Sequence, residues 1–310
     1  MLILLTGSSG MVGRNLLEHP EIGGFDVLTP RRKDLDLLNY ESTESYIREN
    51  MPDIIIHAAG KVGGIQANMR EPASFLVENF EMGKNLVLSS RRNGVKRLIN
   101  LGSSCMYPCD ARNPLKEEMI LSGKLEPTNE GYALAKIGIS RLCEYVTREE
   151  PDYSYKTLIP CNLYGKWDRF DPLYSHMVAA TIKKVHQATL KCDTKVKIWG
   201  EGTHRREFMY AGDFADCLIE ALRNFDSLPQ TMNVGVGYDH TINEYYRIIA
   251  EVVGYDGEFV HDLSQPIGMK QKLLDIGRQK AWGWEAKTSL EKGLAKTYEF
   301  YLQQEQNGRS

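Results

Sequence analysis

Short apolar runs alternate with stretches of helical period through the first half of the chain. Leu2 to Leu5 is the first run and ends in Thr6-Gly7. Gly10 and Gly13 then punctuate a segment, with Met11, Val12, Leu16 and Leu17, that reads as an amphipathic helix. Further strands are expected at Phe25 to Leu28, Ile54 to Ile56 and Arg97 to Leu101, each short, apolar and bounded by turn or polar residues. Between the last two, Phe75, Asn79, Met82, Leu86 and Val87 recur at helical spacing within Glu71 to Asn93, and Asn93-Gly94 supplies the stop. A second long helix is expected from about Asn129 to Arg148 and a strand at Tyr155 to Ile159. Strands and helices alternating in this way predict an α/β fold with a doubly wound parallel sheet.

After Asn162-Leu163-Tyr164-Gly165 the pattern changes. Lys166 to Asp171 crowds charges and aromatic rings without a clear period. The remaining third reads as shorter helices and turn-rich pieces, such as Trp199-Gly200-Glu201-Gly202 and Asn233-Val234-Gly235-Val236-Gly237. A smaller C-terminal lobe is therefore expected, with one return of the chain to the sheet near 208–235. No internal repeat or low-complexity tract interrupts this organisation.

Composition excludes several classes. With 42% hydrophobic and 25% charged residues among 310, the chain lies far from disordered compositions. It is long enough to bury roughly 75% of the surface its unfolded form exposes, without disulfides or a structural metal. The 38 basic and 41 acidic residues leave a net charge of −3, which gives no global field for nucleic acid or an anionic membrane. Six cysteines form no CxxC pair and show no zinc-ligand spacing, so no metal is expected. The opening apolar run is too short for a signal peptide, and no stretch reaches the length of a membrane span. These features point to a cytoplasmic, reducing compartment.

Gly7-x-x-Gly10-x-x-Gly13, placed between a strand and a helix, lets backbone N–H groups approach a pyrophosphate at a helix N-terminus. The alternative is a tight turn without a ligand. The second strand runs out into Arg31-Arg32, where a site built for NAD would want a carboxylate for the ribose hydroxyls. Arginines suit a 2′-phosphate, so NADPH is the expected cofactor, unless the two are only a solvated pair; Asp36 is placed at the adenine side. On this reading residues 1–165, with the return near 208–235, form the dinucleotide-binding domain of Rossmann type. Residues 166–207 and 236–310 form the substrate lobe.

Tyr132 and Lys136 stand four residues apart, one turn on one helix face. A cation beside a phenol favours the phenolate and brings the tyrosine toward the working range of an acid-base catalyst. Ser103 follows the fourth strand in Leu101-Gly102-Ser103-Ser104, at the carboxyl end where parallel sheets bind ligands. The bland alternative makes Tyr132 and Lys136 ordinary surface residues.

Seven segments occur in order: Lys61 to Ile65, Gly102 to Pro108, Glu126 to Glu130 with Tyr132 to Lys136, Asn162 to Gly165, Ser175-His176, Arg206-Glu207-Phe208 and Lys272 to Asp275. Together they resemble the GDP-L-fucose synthase family of the extended short-chain dehydrogenase/reductases, over nearly the whole chain. The resemblance implies an NADPH-dependent homodimeric enzyme. Its reaction epimerises C3 and C5 of GDP-4-keto-6-deoxy-D-mannose and reduces C4. It implies that Ser103, Tyr132 and Lys136 are the reductase triad and that Cys105 and His176 are the base and acid of epimerisation. Met11, Val12, Ala58, Lys136 and His176 join the glycines as cofactor contacts. Arg206 and Lys272 are placed near the substrate diphosphate, Asn162 near the sugar, and Trp199-Gly200 and Lys61 with Gly63 along the sugar and guanine pockets. Arg205 is left as a solvated residue, and Cys109, Cys143, Cys161, Cys192 and Cys217 as packing residues.

Three local departures stand out: Gly131 where the family has proline, Met209-Tyr210-Ala211-Gly212-Asp213 in place of the usual segment, and an altered loop after the second strand. They leave open a sister enzyme on the same scaffold, such as a GDP-L-colitose synthase or a GDP-heptose 4-reductase. A non-catalytic NADPH-binding protein is the alternative from another class.

Overall fold

The computed structural model describes residues 1–171, 174–265 and 268–308. Six parallel strands form the central sheet: β1 (Leu2–Thr6), β2 (Asp26–Leu28), β3 (Ile54–His57), β4 (Arg97–Leu101) and β5 (Ser154–Pro160), and at the far edge Thr231–Val234, which is β10 in chain order. Their spatial order is β10-β5-β4-β3-β1-β2. β1 is flanked by β2 on one side and β3 on the other, so the strand order reverses beside β1, and the crevice at the carboxyl ends of β1 and β3 is where such sheets hold ligands. Ile3, Leu4, Leu5, Ile54, Ile55 and Ile56 are fully buried on both faces of these strands, as continuous apolar runs require. The strand limits expected from the sequence hold to within one or two residues.

Helices cover both faces: α1 (Met11–Leu17), α2 (Tyr40–Asn50), α3 (Ile65–Arg70), α4 (Pro72–Arg92) and α5 (Glu130–Glu149) within the sheet's first half. α4 and α5, the two long helices anticipated by the apolar period, pack closely along each other. Gly83 and Gly138 permit this. A Cβ on Gly83 would lie 2.6 Å from the Ile139 side chain, and one on Gly138 would lie 2.8 Å from the Phe80 ring.

Beyond β5 the chain makes β6 (Asn162–Tyr164), α6 (Met177–Lys191), β7 (Lys195–Trp199), β8 (Arg205–Arg206), β9 (Phe208–Tyr210) and α7 (Ala211–Arg223). After β10 come β11 (His240–Thr241), α8 (Ile242–Val253), β12 (Glu258–Asp262), β13 (Gln271–Lys272), α9 (Gly277–Trp282) and α10 (Leu290–Gln306). The short strands pair as β6 with β9, β7 with β12, and β8 between β11 and β13. A second apolar cluster joins Val178, Ile182 and Val185 of α6 to Tyr245 and Ile249 of α8 and Leu294 and Tyr301 of α10. The sequence predicts shorter helices here; instead α6 has 15 residues and α10 has 17, because their apolar faces pack on each other and on α8. Cys143, Cys161 and Cys217 are buried as expected, whereas Cys192 is exposed at the left-handed end of α6. No described helix is long and apolar enough to cross a membrane.

Gly131, the residue that replaces proline, sits in the first turn of α5. A Cβ there would stand 2.6 Å from the carbonyl oxygen of Pro72, a backbone atom that cannot step aside. Gly131→Ala should therefore lower stability by about 1–3 kcal/mol, despite a helix preference for alanine of about 1 kcal/mol. Urea denaturation measures this as a lower midpoint at unchanged slope; a variant as stable as the parent would show that the seam between α4 and α5 has slack.

Candidate active site

The carboxyl ends of the central strands gather the predicted reductase residues. Gly102 N–H closes β4 onto Leu158 O at 2.8 Å, and Ser103 then starts a single turn, its Oγ accepting from Cys105 N at 3.2 Å. Ser103 also hydrogen-bonds the Tyr132 hydroxyl. Lys136 is buried, donates to Leu101 O at 2.9 Å and holds its ammonium 5.7 Å from the Tyr132 ring centre. Burial pushes its titration down to about 8.

Tyr132 does not behave as its spacing to Lys136 suggested. Burial raises the phenol well above its ordinary range and the Cys105 sulfur adds to the rise, while the Ser103 hydrogen bond opposes it. Desolvation outweighs the cation, whose proton is directed at the Leu101 carbonyl, so the phenol is a neutral hydrogen-bond donor at neutral pH. Behind it, buried His57 pairs through Nδ1 with Thr6 Oγ1 at 3.0 Å. Burial, then the Lys136 charge, drives that imidazole down to about 3, so it stays neutral.

Cys105 faces a second group of residues. Its Sγ accepts from Asn129 Nδ2 at 3.3 Å and from Lys272 Nζ at 3.7 Å. Lys272 is buried on β13, in register with Arg206 on β8. Burial lowers the Arg206 guanidinium from its usual value, opposed by the charges of Glu126 and Cys105. His176 ends the loop before α6, and burial, Lys272 and Arg169 together lower its titration. Ser103, Cys105, Tyr132, Lys136, His176, Arg206 and Lys272 thus form one connected group.

Other predicted contacts fall elsewhere. Asn162 donates to Glu207 O at 2.9 Å, one residue from Arg206. Trp199 stands exposed at the end of β7, with no contact to that group among the described interactions. Lys61, expected along the sugar pocket, is engaged by Glu71 and Glu78 at 3.0 Å each and by Ser74. Arg205 is partly solvated, as expected, but also paired: it donates to Asp239 Oδ1 and Asp239 O at 2.7 Å.

The glycine turn forms a cradle that side chains would fill. Gly7 has φ +72°, and a Cβ on it would lie 2.5 Å from Ala59 N and 2.6 Å from Ala58 O; one on Gly13 would lie 2.4 Å from Gly7 O. Gly10 begins α1 with no side chain to cap the N–H groups of Met11, Val12 and Gly13. Arg14 lies over the Trp167 ring at 4.2 Å, and Glu18 accepts from Trp167 Nε1 and Lys166. The loop after β6 thereby clamps α1 in place. Beside β2, Arg31 and Arg32 are exposed, and Arg32 lies 3.8 Å from Asp36. Asp36 Oδ1 accepts from Leu38 N, which ties this carboxylate into its own loop.

A profile of the NAD dependent epimerase/dehydratase family matches residues 3–235. The chain belongs to that family. The GDP-L-colitose synthase of Yersinia pseudotuberculosis is 51% identical over 99% of this chain and 100% of its own length. The GDP-L-fucose synthase of Azorhizobium caulinodans is 51% identical over 97% of this chain and 96% of its own. Among solved structures, the GDP-mannoheptose C4 reductase of Campylobacter jejuni, determined with NADP bound, is 31% identical with a TM-score of 0.87, over 97% of this chain and 98% of that one. The glycine cradle, the bare start of α1 and the cations beside it fit the dinucleotide that the family name implies.

Two further residues make contacts at this group that the motifs containing them do not announce. Asn129 reaches the Cys105 sulfur. Glu207 is wholly buried and accepts from Leu274 N, Val236 N and Gly237 N at 2.7–2.8 Å, yet burial still raises its titration to about 7. Neither contact is local, so no spacing in the sequence announces it.

Proposed function

We propose that this enzyme carries out the NADPH-dependent 3,5-epimerisation and 4-reduction of GDP-4-keto-6-deoxy-D-mannose to GDP-L-fucose. The observation that carries the reading is the meeting of two chemistries at one place. A Tyr132 phenol bonded to Ser103 suits a carbonyl oxygen, and the Cys105 sulfur lies close enough to that phenol to raise its titration.

A C4 ketone acidifies the hydrogens on C3 and C5, and donors at O4 stabilise the enolate. In this reading Cys105 takes the proton from the carbon and His176 returns one from the opposite face. Burial with Lys272 and Arg169 keeps His176 neutral in the free protein. The two negative charges of an incoming diphosphate oppose that effect and favour the protonated imidazole. Tyr132 then gives its proton to O4 during reduction, and Ser103 holds that oxygen. NADPH supplies the hydride when bound. Gly7, Gly10, Met11, Val12, Gly13, Ala58, Arg31, Arg32, Asp36, Lys136 and His176 are assigned to hold it, Arg206 to the diphosphate, and Asn162 and Trp199 to the sugar and base. The second apolar cluster supports assigning 166–207 and 236–310 to the substrate lobe, and the six free cysteines fit a reducing, cytoplasmic setting.

A second reading has its own support in the colitose-synthase relative: a 3-deoxy substrate with epimerisation at C5 alone. In D₂O with GDP-4-keto-6-deoxy-D-mannose and no NADPH, deuterium should enter at C3 and C5, and adding NADPH should yield GDP-L-fucose. Cys105→Ser should abolish the uptake. NADPH consumption without deuterium, or turnover confined to the 3-deoxy or heptose substrates, would reject the fucose assignment.

The reductive step also has a pH signature. kcat/KM should fall as pH rises through about 8, where the buried Lys136 ammonium loses its proton. Lys136→Arg should remove that limb, and a parent profile flat to about pH 10 would rule Lys136 out as its source.

We further propose a homodimer through α4 and α5. Val77 and Phe80 on α4 and Leu134 and Tyr145 on α5 are large apolar side chains left exposed on adjacent helices. Val77→Asp with Leu134→Asp should halve the mass in sedimentation equilibrium; a parent chain that already sediments as a monomer would exclude the dimer.

A further inference from the structure

We propose that Lys272 and Asn129 are positioning residues that make Cys105 the proton acceptor of epimerisation, and that Lys272 serves the sulfur rather than the substrate diphosphate. The proposal rests on the reading of Cys105 as the base. A thiol cannot accept a proton; an anionic sulfur can. Two N–H donors converge on this one, Asn129 Nδ2 at 3.3 Å and Lys272 Nζ at 3.7 Å.

Each donor gives up something to be there. Asn129 occupies the N-cap of α5, where an asparagine side chain usually accepts from the first turn and steadies the helix. Here it makes no cap bond and reaches back 24 residues to the sulfur, leaving Oδ1 buried without a partner. Lys272 is buried, and among the described residues the hydrogen bond of its ammonium is to Cys105. It also lies close enough to His176 to disfavour a positive charge there. Its neighbour Arg206 carries the fork geometry that suits a diphosphate.

In the step assigned to this site, the C–H bond next to the C4 ketone breaks and an S–H bond forms on Cys105. The C–H electron pair passes into the enolate, whose charge rests on O4 opposite the Ser103 and Tyr132 hydroxyls. Donors on the sulfur favour its anion before the transfer and aim it at the carbon.

Iodoacetamide labelling read peptide by peptide tests this, because Cys105 is partly accessible and exposed Cys192 serves as an internal reference. At about pH 7, Lys272→Met should slow labelling of Cys105 by about tenfold. Asn129→Asp should also slow it, Lys272→Arg should restore most of the rate, Cys192 should label equally in all, and buried Cys143, Cys161 and Cys217 should stay protected, showing that the variants are folded. Without NADPH, Lys272→Met and Asn129→Asp should slow deuterium uptake from D₂O while KM for the GDP-sugar moves less than about twofold. If Lys272→Met instead raises KM and leaves Cys105 labelling intact, Lys272 is a diphosphate ligand and the proposal fails. Uptake that persists in Cys105→Ser would overturn the base assignment and the proposal with it; labelling that still depends on Lys272 would mark the first error as the one made.

Discussion

Asn162, Arg206 and Lys272 stand on β6, β8 and β13, strands of two or three residues drawn from distant parts of the chain. None carries enough ladder hydrogen bonds to keep its own register. The carboxylate of Glu207 supplies what they lack, because its two oxygens accept from the backbone of Val236, Gly237 and Leu274. Asn162 is bonded to the carbonyl of the same residue. The return of the chain to the sheet, the segment carrying Lys272 and the strand carrying Arg206 are thus held to one side chain. Its surroundings are tight: a Cβ on Gly235 would fall 2.3 Å from Oε1. Burial that raises Glu207 to about 7 means that the donors do not fully repay desolvation. This carboxylate fixes position at some cost to stability near neutral pH.

Electrostatics follow from that geometry. Lys136, Lys272 and Arg206 are cations brought out of water within one group, and Arg169 acts on the same histidine. Their charges add to burial in disfavouring a protonated imidazole there. Burial first and these charges second drive His57 and His176 neutral, whereas burial alone weakens Lys136, and burial with the Cys105 sulfur keeps Tyr132 a phenol. A buried group of cations of this kind suits an anionic ligand, such as the diphosphate proposed above, better than it suits its own stability.

Much of this was legible in the sequence because it is local. Continuous apolar runs gave the strands of the central sheet, and the period of Phe75 to Val87 gave α4. Tyr132 and Lys136 are one turn apart whatever the rest of the chain does, and Ser103 follows a strand directly. Inferences that depended on solvation or on distant segments went astray. Proximity to Lys136 promised an acidic phenol, but spacing says nothing of burial. Lys61 looked available until α4 brought Glu71 and Glu78 beside it. The period of Val178, Ile182 and Val185 in α6 went unread beside the aromatic clutter before it. Asn129, Lys272 and Glu207 act on partners 24, 167 and 67 residues away, distances over which a pattern carries no information.

Helix starts divide by whether a side chain caps them. α2, α8 and α10 begin with Asn39, Thr241 and Ser289, each of which caps its helix with its own side chain. The other seven described helices begin without a side-chain cap, among them α1, α5 and α6 at Gly10, Asn129 and His176 in the candidate site. Asn129 is the telling case, since its side chain is chemically able to cap and is used elsewhere. Uncapped N–H groups at three helix starts add positive ends of dipoles to a site already rich in cations. Capping those three would stabilise their helices and weaken the field that an anionic ligand would meet there.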